Sequence, residues 1–103
     1  MPLAPTVEPA FDSAARRRGL LGRTSLPAGT ALIIAPCQSV HTFGMQFAID
    51  VIYAARDGRI IKIRHAMPPG RISAAFSAFA TIEMAAGTAE AAGIRAGDVL
   101  ELR

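Results

Sequence analysis

Three residues near the middle of the chain, Cys37, His41 and Asp50, carry the side chains most able to do chemistry together. Cys37 is the only cysteine; His41 is one of two histidines, with His65. A thiol becomes a nucleophile when a base or a positive neighbour draws off its proton, and a histidine can serve as either. Asp50 could then orient the imidazole. The spacing works against a direct pair: residues i and i+4 share a helix face, but this stretch reads as strand and loop, where they lie ~13 Å apart when fully extended. Cys37, the reactive-thiol candidate, meets His41 only if the chain bends between Val40 and Thr42. The simpler reading is a buried free thiol and a histidine bonded to backbone. A metal centre needs three or four convergent ligands, and Cys37, His41, Asp50 and His65 match no common zinc spacing. Neither a metal nor a cofactor is expected.

Asp50 stands between Ile49 and Val51 in an apolar run. A buried carboxylate without a partner costs several kcal/mol, so one is expected. Arg18 or Arg23 is the predicted partner, with Arg18–Asp50 as a structural pair pinning an N-terminal helix to a hairpin. The functional variant places the same arginine on an anionic ligand beside His41. Gly44 lacks a Cβ and would let a ligand approach closely. The candidate binding residues are thus Arg18, Arg23, His41, Gly44 and Asp50. Phe43, Met45 and Phe47 read as core packing, with a small apolar pocket as the alternative. Glu83 and Asp98 read as residues that cap or turn the chain.

The elements that must position these residues are short. Residues 1–10 hold three prolines and read as a loose arm, leaving 11–103 as a single domain. Asp12 or Ser13 can cap a helix over 13–21, ended by Gly22. Residues 30–35 (TALIIA), between Gly29 and Pro36, suit a buried strand. From His41, Phe43, Met45, Phe47 and Ile49 alternate with other residues, which predicts a long strand kinked near Gly44. Asp57-Gly58 between apolar runs predicts a hairpin pairing 49–54 with 59–64, with Ile61 and Ile63 on one face and Lys62 and Arg64 on the other. Residues 65–78 read as a long connection. Residues 79–84 alternate again, with Thr81 and Glu83 outward. Thr88 caps a helical turn ended by Gly93, and Gly97-Asp98 leads into a last strand at 99–102.

Length and composition limit the classes. A chain of 103 residues builds one core. Its hydrophobic fraction of 51% includes 21 alanines, which bury little. One cysteine excludes an internal disulfide, and a reducing, cytoplasmic setting is expected. No stretch approaches the length of a membrane span. The net charge is +3, and ten of the eleven basic residues are arginine. They are scattered apart from Arg16, Arg17 and Arg18, and the aromatics lie in apolar runs rather than among them. Nucleic acid is therefore not the expected partner.

The chain resembles the family named domain of unknown function 192. The resemblance rests on Arg18-Gly19-Leu20-Leu21-Gly22-Arg23. It rests also on Cys37 followed by His41-Thr42-Phe43-Gly44-Met45, then Phe47 and Ile49-Asp50-Val51. Asp57-Gly58-Arg59, Glu83 with Ala86-Gly87, and Gly97-Asp98 complete it. It implies a small, mostly β domain with short helices, and no activity. The expected fold is mainly β, or β-dominated α+β: a small antiparallel sandwich or barrel with one short N-terminal helix. The leading functional expectation is a non-catalytic binding or accessory module, with a shallow polar site facing a small anionic ligand or a protein segment. The alternatives are a small hydrolase-like or metal-assisted enzyme using His41, Asp50 and Cys37, and an interaction protein that docks by a strand edge.

Overall fold

β-branched and aromatic residues crowd Ile49–Ala54, and all six are buried. A strand buried along its whole length must be central in a sheet covered on both faces. The computed structural model, which describes residues 6–12, 14, 19–20, 22–27 and 29–100, places it so. Strands β1 (Thr6–Ala10), β2 (Thr30–Ile34), β4 (Ile49–Ala54), β5 (Ile60–Met67) and β7 (Ala80–Ala85) form one sheet in the order β1-β2-β7-β4-β5. Strands β3 (Ser39–His41) and β6 (Ile72–Ala74) form a separate two-stranded sheet, and α1 (Thr88–Ala91) is a single turn of helix. The protein is mainly β. The five-stranded sheet is open rather than a closed barrel, and it is mixed, because β1 runs parallel to β2 while its other pairs are antiparallel.

One face of the main sheet presents Ala31, Ile33, Ile52, Ala54, Ile82 and Met84, closed over by Ala89, Ile94 and Leu100. The other presents Leu32, Ile34, Val51 and Tyr53. Leu20 and Leu26 cover that second face, and Val40 of β3, Met45, Phe47 and Ala75 pack against it. Burying a Leu or Ile side chain stabilises by about 1.5–3 kcal/mol. Both layers are thus needed to hold the central strands.

Several local expectations change. The supposed loose arm contains β1, whose Thr6–Ala10 lies in register with Thr30–Ile34 and covers the β2 edge. The helix predicted over 13–21, like Arg18, lies largely outside the described residues; Gly19 and Leu20 are in a turn. The predicted long strand from His41 breaks up. β3 ends at His41, and Thr42 ties the chain to the 68–71 loop instead. Its N–H donates to the Arg71 carbonyl at 2.8 Å, its Oγ1 donates to the Pro68 carbonyl at 2.7 Å, and that oxygen accepts from the Arg71 N–H at 2.9 Å. Gly44, at φ 80°, supplies the left-handed turn that follows.

The hairpin forms as its Asp-Gly signal predicts. The Gly58 N–H donates to the Ala55 carbonyl, and Asp57 Oδ1 accepts from the Arg59 N–H. Two register shifts alter the faces, so Ile61 packs on the second face and Ile63 on the first. The connection at 65–78 is structured, with β5 running to Met67 and β6 within it. Glu83 and Thr81 point away from Ile82 and Met84 as predicted, but they are buried rather than outward, because β7 is a central strand. Among the described residues, the last expected strand is reduced to a bridge between Arg59 and Val99.

Candidate functional site

Asp50 illustrates how the fold uses an acid that sequence spacing assigned to a site. It is fully buried in β4. Its Oδ1 accepts from the Ala66 N–H at 2.8 Å and its Oδ2 from the Ala89 N–H at 2.8 Å. Ala66 sits in the β5 bulge opposite Asp50 with φ 47°, a left-handed conformation that L-residues avoid. Ala89 is in the first turn of α1, whose cap is Gly87 rather than the expected Thr88, with no side-chain bond from the cap residue. Two backbone amides thus partner the carboxylate, while Arg18, the expected partner, lies outside the described residues. Arg23 makes its pair elsewhere, donating to both oxygens of Glu8 at 2.7 and 3.2 Å. That bond holds the Glu8 carboxyl below its usual range and the Arg23 guanidinium above its own.

No hydrogen bond joins any two of Cys37, His41 and Asp50. The Cys37 thiol, half-buried, donates to the Ser39 carbonyl at 3.1 Å. Ser39–His41 is extended, so the bend that would bring thiol and imidazole together does not occur. His41 is exposed and stacks on Phe43, centroids 5.5 Å apart. Gly44 is exposed in its turn. Among the described residues no group of three His, Cys, Asp or Glu side chains could hold a metal ion.

The residues that do converge are others. On the second face, strand register sets Glu8, Leu32, Glu83, Val51 and Arg64 in one row across the sheet. The adjacent row carries Ala10, Ile34, Thr81, Tyr53 and Lys62. Glu83 is 5% exposed and Tyr53 wholly buried. Ser73, on β6, is buried close to the Tyr53 hydroxyl. Among the described residues, Glu83 Oε1, Tyr53 Oη and Ser73 Oγ have no hydrogen-bond partner. Ser73 stands near enough to favour the ionised phenol, but the two hydroxyls complete no bond. Burial pushes the Glu83 carboxyl up to about 7, with the Arg23 charge opposing. Burial likewise raises Tyr53, against Ser73 and Arg64.

Each buried oxygen without a partner forfeits about 1–3 kcal/mol of solvation, and folded proteins leave few such groups. The three form a buried polar cluster of two hydroxyls and a carboxyl, with Tyr53 and Glu83 on the main sheet and Ser73 on β6. Arg23 and Arg64 flank it, and both cations act on it electrostatically. Sequence reading passed over Tyr53, Ser73 and Arg64. Glu83 carries the same signal as Asp50, an acid inside an apolar run, although the simplest expectation for it is a residue that caps or turns the chain.

The family model described as "Uncharacterized ACR", domain of unknown function 192 (DUF192), matches residues 3–102. The chain belongs to the DUF192 family. Two crystal structures share the DUF192 fold seen here. A protein of unknown function from Novosphingobium aromaticivorans DSM 12444 is 26% identical over 90% of this chain and 71% of its own, with a TM-score of 0.82. A "putative transcription regulator" from Sinorhizobium meliloti 1021 is 23% identical over 90% of this chain and 78% of its own, with a TM-score of 0.83. No functionally curated protein matches the chain significantly. No helix among the described residues is long and apolar enough to cross a membrane.

Proposed function

We propose that this DUF192 domain is a non-catalytic binding module that takes a small anion in a recess at the buried cluster of Glu83, Tyr53 and Ser73. The observation that supports this reading is the set of three buried oxygens, on β4, β6 and β7, that have no hydrogen-bond partner among the described residues. Tyr53 and Ser73 each offer an O–H donor, and Glu83 offers a third when protonated. Arg23 and Arg64 supply positive potential without occupying the recess. Arg23 is engaged with Glu8, and no carboxylate among the described residues pairs with Arg64. The burial of Tyr53 and Glu83 restricts the occupant to a compact ion. Of the residues expected at a site, Asp50 accepts from two backbone amides, His41 and Gly44 are exposed, and Arg18 lies outside the described residues. Arg23 remains as a flanking charge.

An anion bound beside Glu83 favours the protonated carboxyl, so binding takes up protons and affinity falls as pH rises through about 7. Thermal shift against phosphate, sulfate, nitrate and formate, in wild type and Tyr53→Phe, tests the reading. An anion at 100 times its dissociation constant stabilises the native state by about 2.7 kcal/mol. The expected result is a shift with at least one anion in wild type, greatly reduced in Tyr53→Phe. A Tyr53→Phe protein that is folded, no less stable without anions and equally responsive to them contradicts it. So does a wild type that responds to none.

A further inference from the structure

A concavity lies on the opposite face of the main sheet from Glu83 and Tyr53. Its floor is Ile33, Ala54, Ile82 and Leu100, and it encloses about 250 Å³. Arg56, in the hairpin turn after β4, stands at its mouth with the guanidinium carbon 4.1 Å from the centroid of the Phe79 ring. The same two residues line an open depression of about 550 Å³ on their other side. Their backbone is fixed. The Phe79 N–H donates to the Ala54 carbonyl at 2.9 Å, the Cys37 N–H donates to the Phe79 carbonyl at 2.9 Å, and the Ala55 N–H donates to the Arg59 carbonyl at 2.8 Å. A guanidinium stacked on an aromatic ring keeps the N–H donors of its edge free for a planar acceptor. No carboxylate among the described residues pairs with Arg56.

The concavity therefore joins an apolar floor to one pre-positioned cation that forms no ion pair among the described residues. That is the complement of a molecule with a short apolar body and a single negative head. Asp57 also lines the space, with Oδ1 accepting from the Arg59 N–H. Its charge opposes a dianionic head, so a carboxylate suits the site better than a phosphate monoester. We propose that this cavity binds a small aliphatic monocarboxylate, its chain on Ile33, Ala54, Ile82 and Leu100 and its carboxylate on Arg56.

Hexanoate, hexanamide and acetate, titrated at matched concentrations and followed by the amide resonances of residues 54–58 and by calorimetry, test the proposal. Hexanoate is expected to bind in the millimolar range or tighter. Losing a charge-assisted pair weakens binding by about tenfold or more, so hexanamide, and hexanoate against Arg56→Gln, should each show that loss. Acetate, lacking the body, should leave these amides unmoved. Arg56 is exposed, so Arg56→Gln keeps the fold. Glu83→Gln should bind hexanoate as wild type does. Equal affinity for hexanoate and hexanamide, no loss in Arg56→Gln, or a loss in Glu83→Gln instead, each overturns the assignment. So does the absence of any hexanoate response.

Discussion

Glu83 shows how burial alone can set a side chain's behaviour. In water a glutamate ionises near 4.5; here its folded value is about 7. The native state therefore binds an extra proton across that interval. Below pH 4.5 both states are protonated and ionisation costs nothing. As pH rises through about 7 the native carboxyl ionises in a poor environment, and the full cost, about 3 kcal/mol, appears above that. Wild type should lose stability between about pH 5 and 8 in the absence of anions. Glu83→Gln, which cannot ionise, should flatten that part of the profile and be the more stable protein at pH 8. Urea denaturation at a series of pH values measures both, and parallel profiles for the two proteins would contradict the assignment. The Glu8–Arg23 bridge contrasts with this. Its side chains are 38% and 36% exposed, so Arg23→Ala should cost at most about 1 kcal/mol.

At the level of elements, Asp50 links three that would otherwise be independent. Its carboxylate joins the strand that carries it, the β5 bulge at Ala66 and the first turn of α1. A four-residue helix has no stability of its own, and a left-handed alanine is strained. Both persist because the buried carboxylate accepts their N–H groups. Asp50→Ala removes two charge-assisted bonds and should cost about 3–5 kcal/mol. Amide hydrogen exchange at Ala66 and Ala89 should quicken more than in the rest of the sheet. Uniform loss of protection would mean that Asp50 acts on the fold globally rather than at these two junctions. This part of the structure was half legible in the sequence. An acid between Ile49 and Val51 announced a buried carboxylate with a partner. A sequence of side chains holds no record of which backbone amides the fold will leave free, so arginine was the natural expectation. The Asp57-Gly58 hairpin was legible because its turn chemistry is local. The false strand after His41 was a pattern of alternation overruled by a tertiary contact, Thr42 on the 68–71 loop.

For the molecule as a whole, the five-stranded sheet has two exposed sides to manage. At one, β5 carries two register shifts and the charges of Lys62 and Arg64, devices that discourage pairing with another chain. At the other, β1 covers β2. That first strand was not legible, because prolines and few large apolar residues argue for a loose segment, and only the parallel partner 24 residues along makes it a strand. Removing residues 1–10 should lower stability and let β2 pair between molecules, read as a larger species in size-exclusion chromatography. A truncated protein as stable and as small as wild type would return residues 6–10 to the role of a dispensable arm. The mainly β class was visible because alternation and turn signals repeat along the chain. The candidate recess was not, because Glu83, Tyr53 and Ser73 come from three strands that meet only across the folded sheet and its two-stranded cover.

The measurement that bears most directly on the anion-binding claim is a carbon-13 NMR titration of the Glu83 carboxyl with and without a saturating anion from the thermal-shift series. The account predicts a midpoint near 7 in the free protein, and a higher one when the anion is bound, since the bound charge favours the proton. A midpoint near 4.5 would contradict the buried recess. A raised midpoint that the anion leaves in place would contradict its occupation.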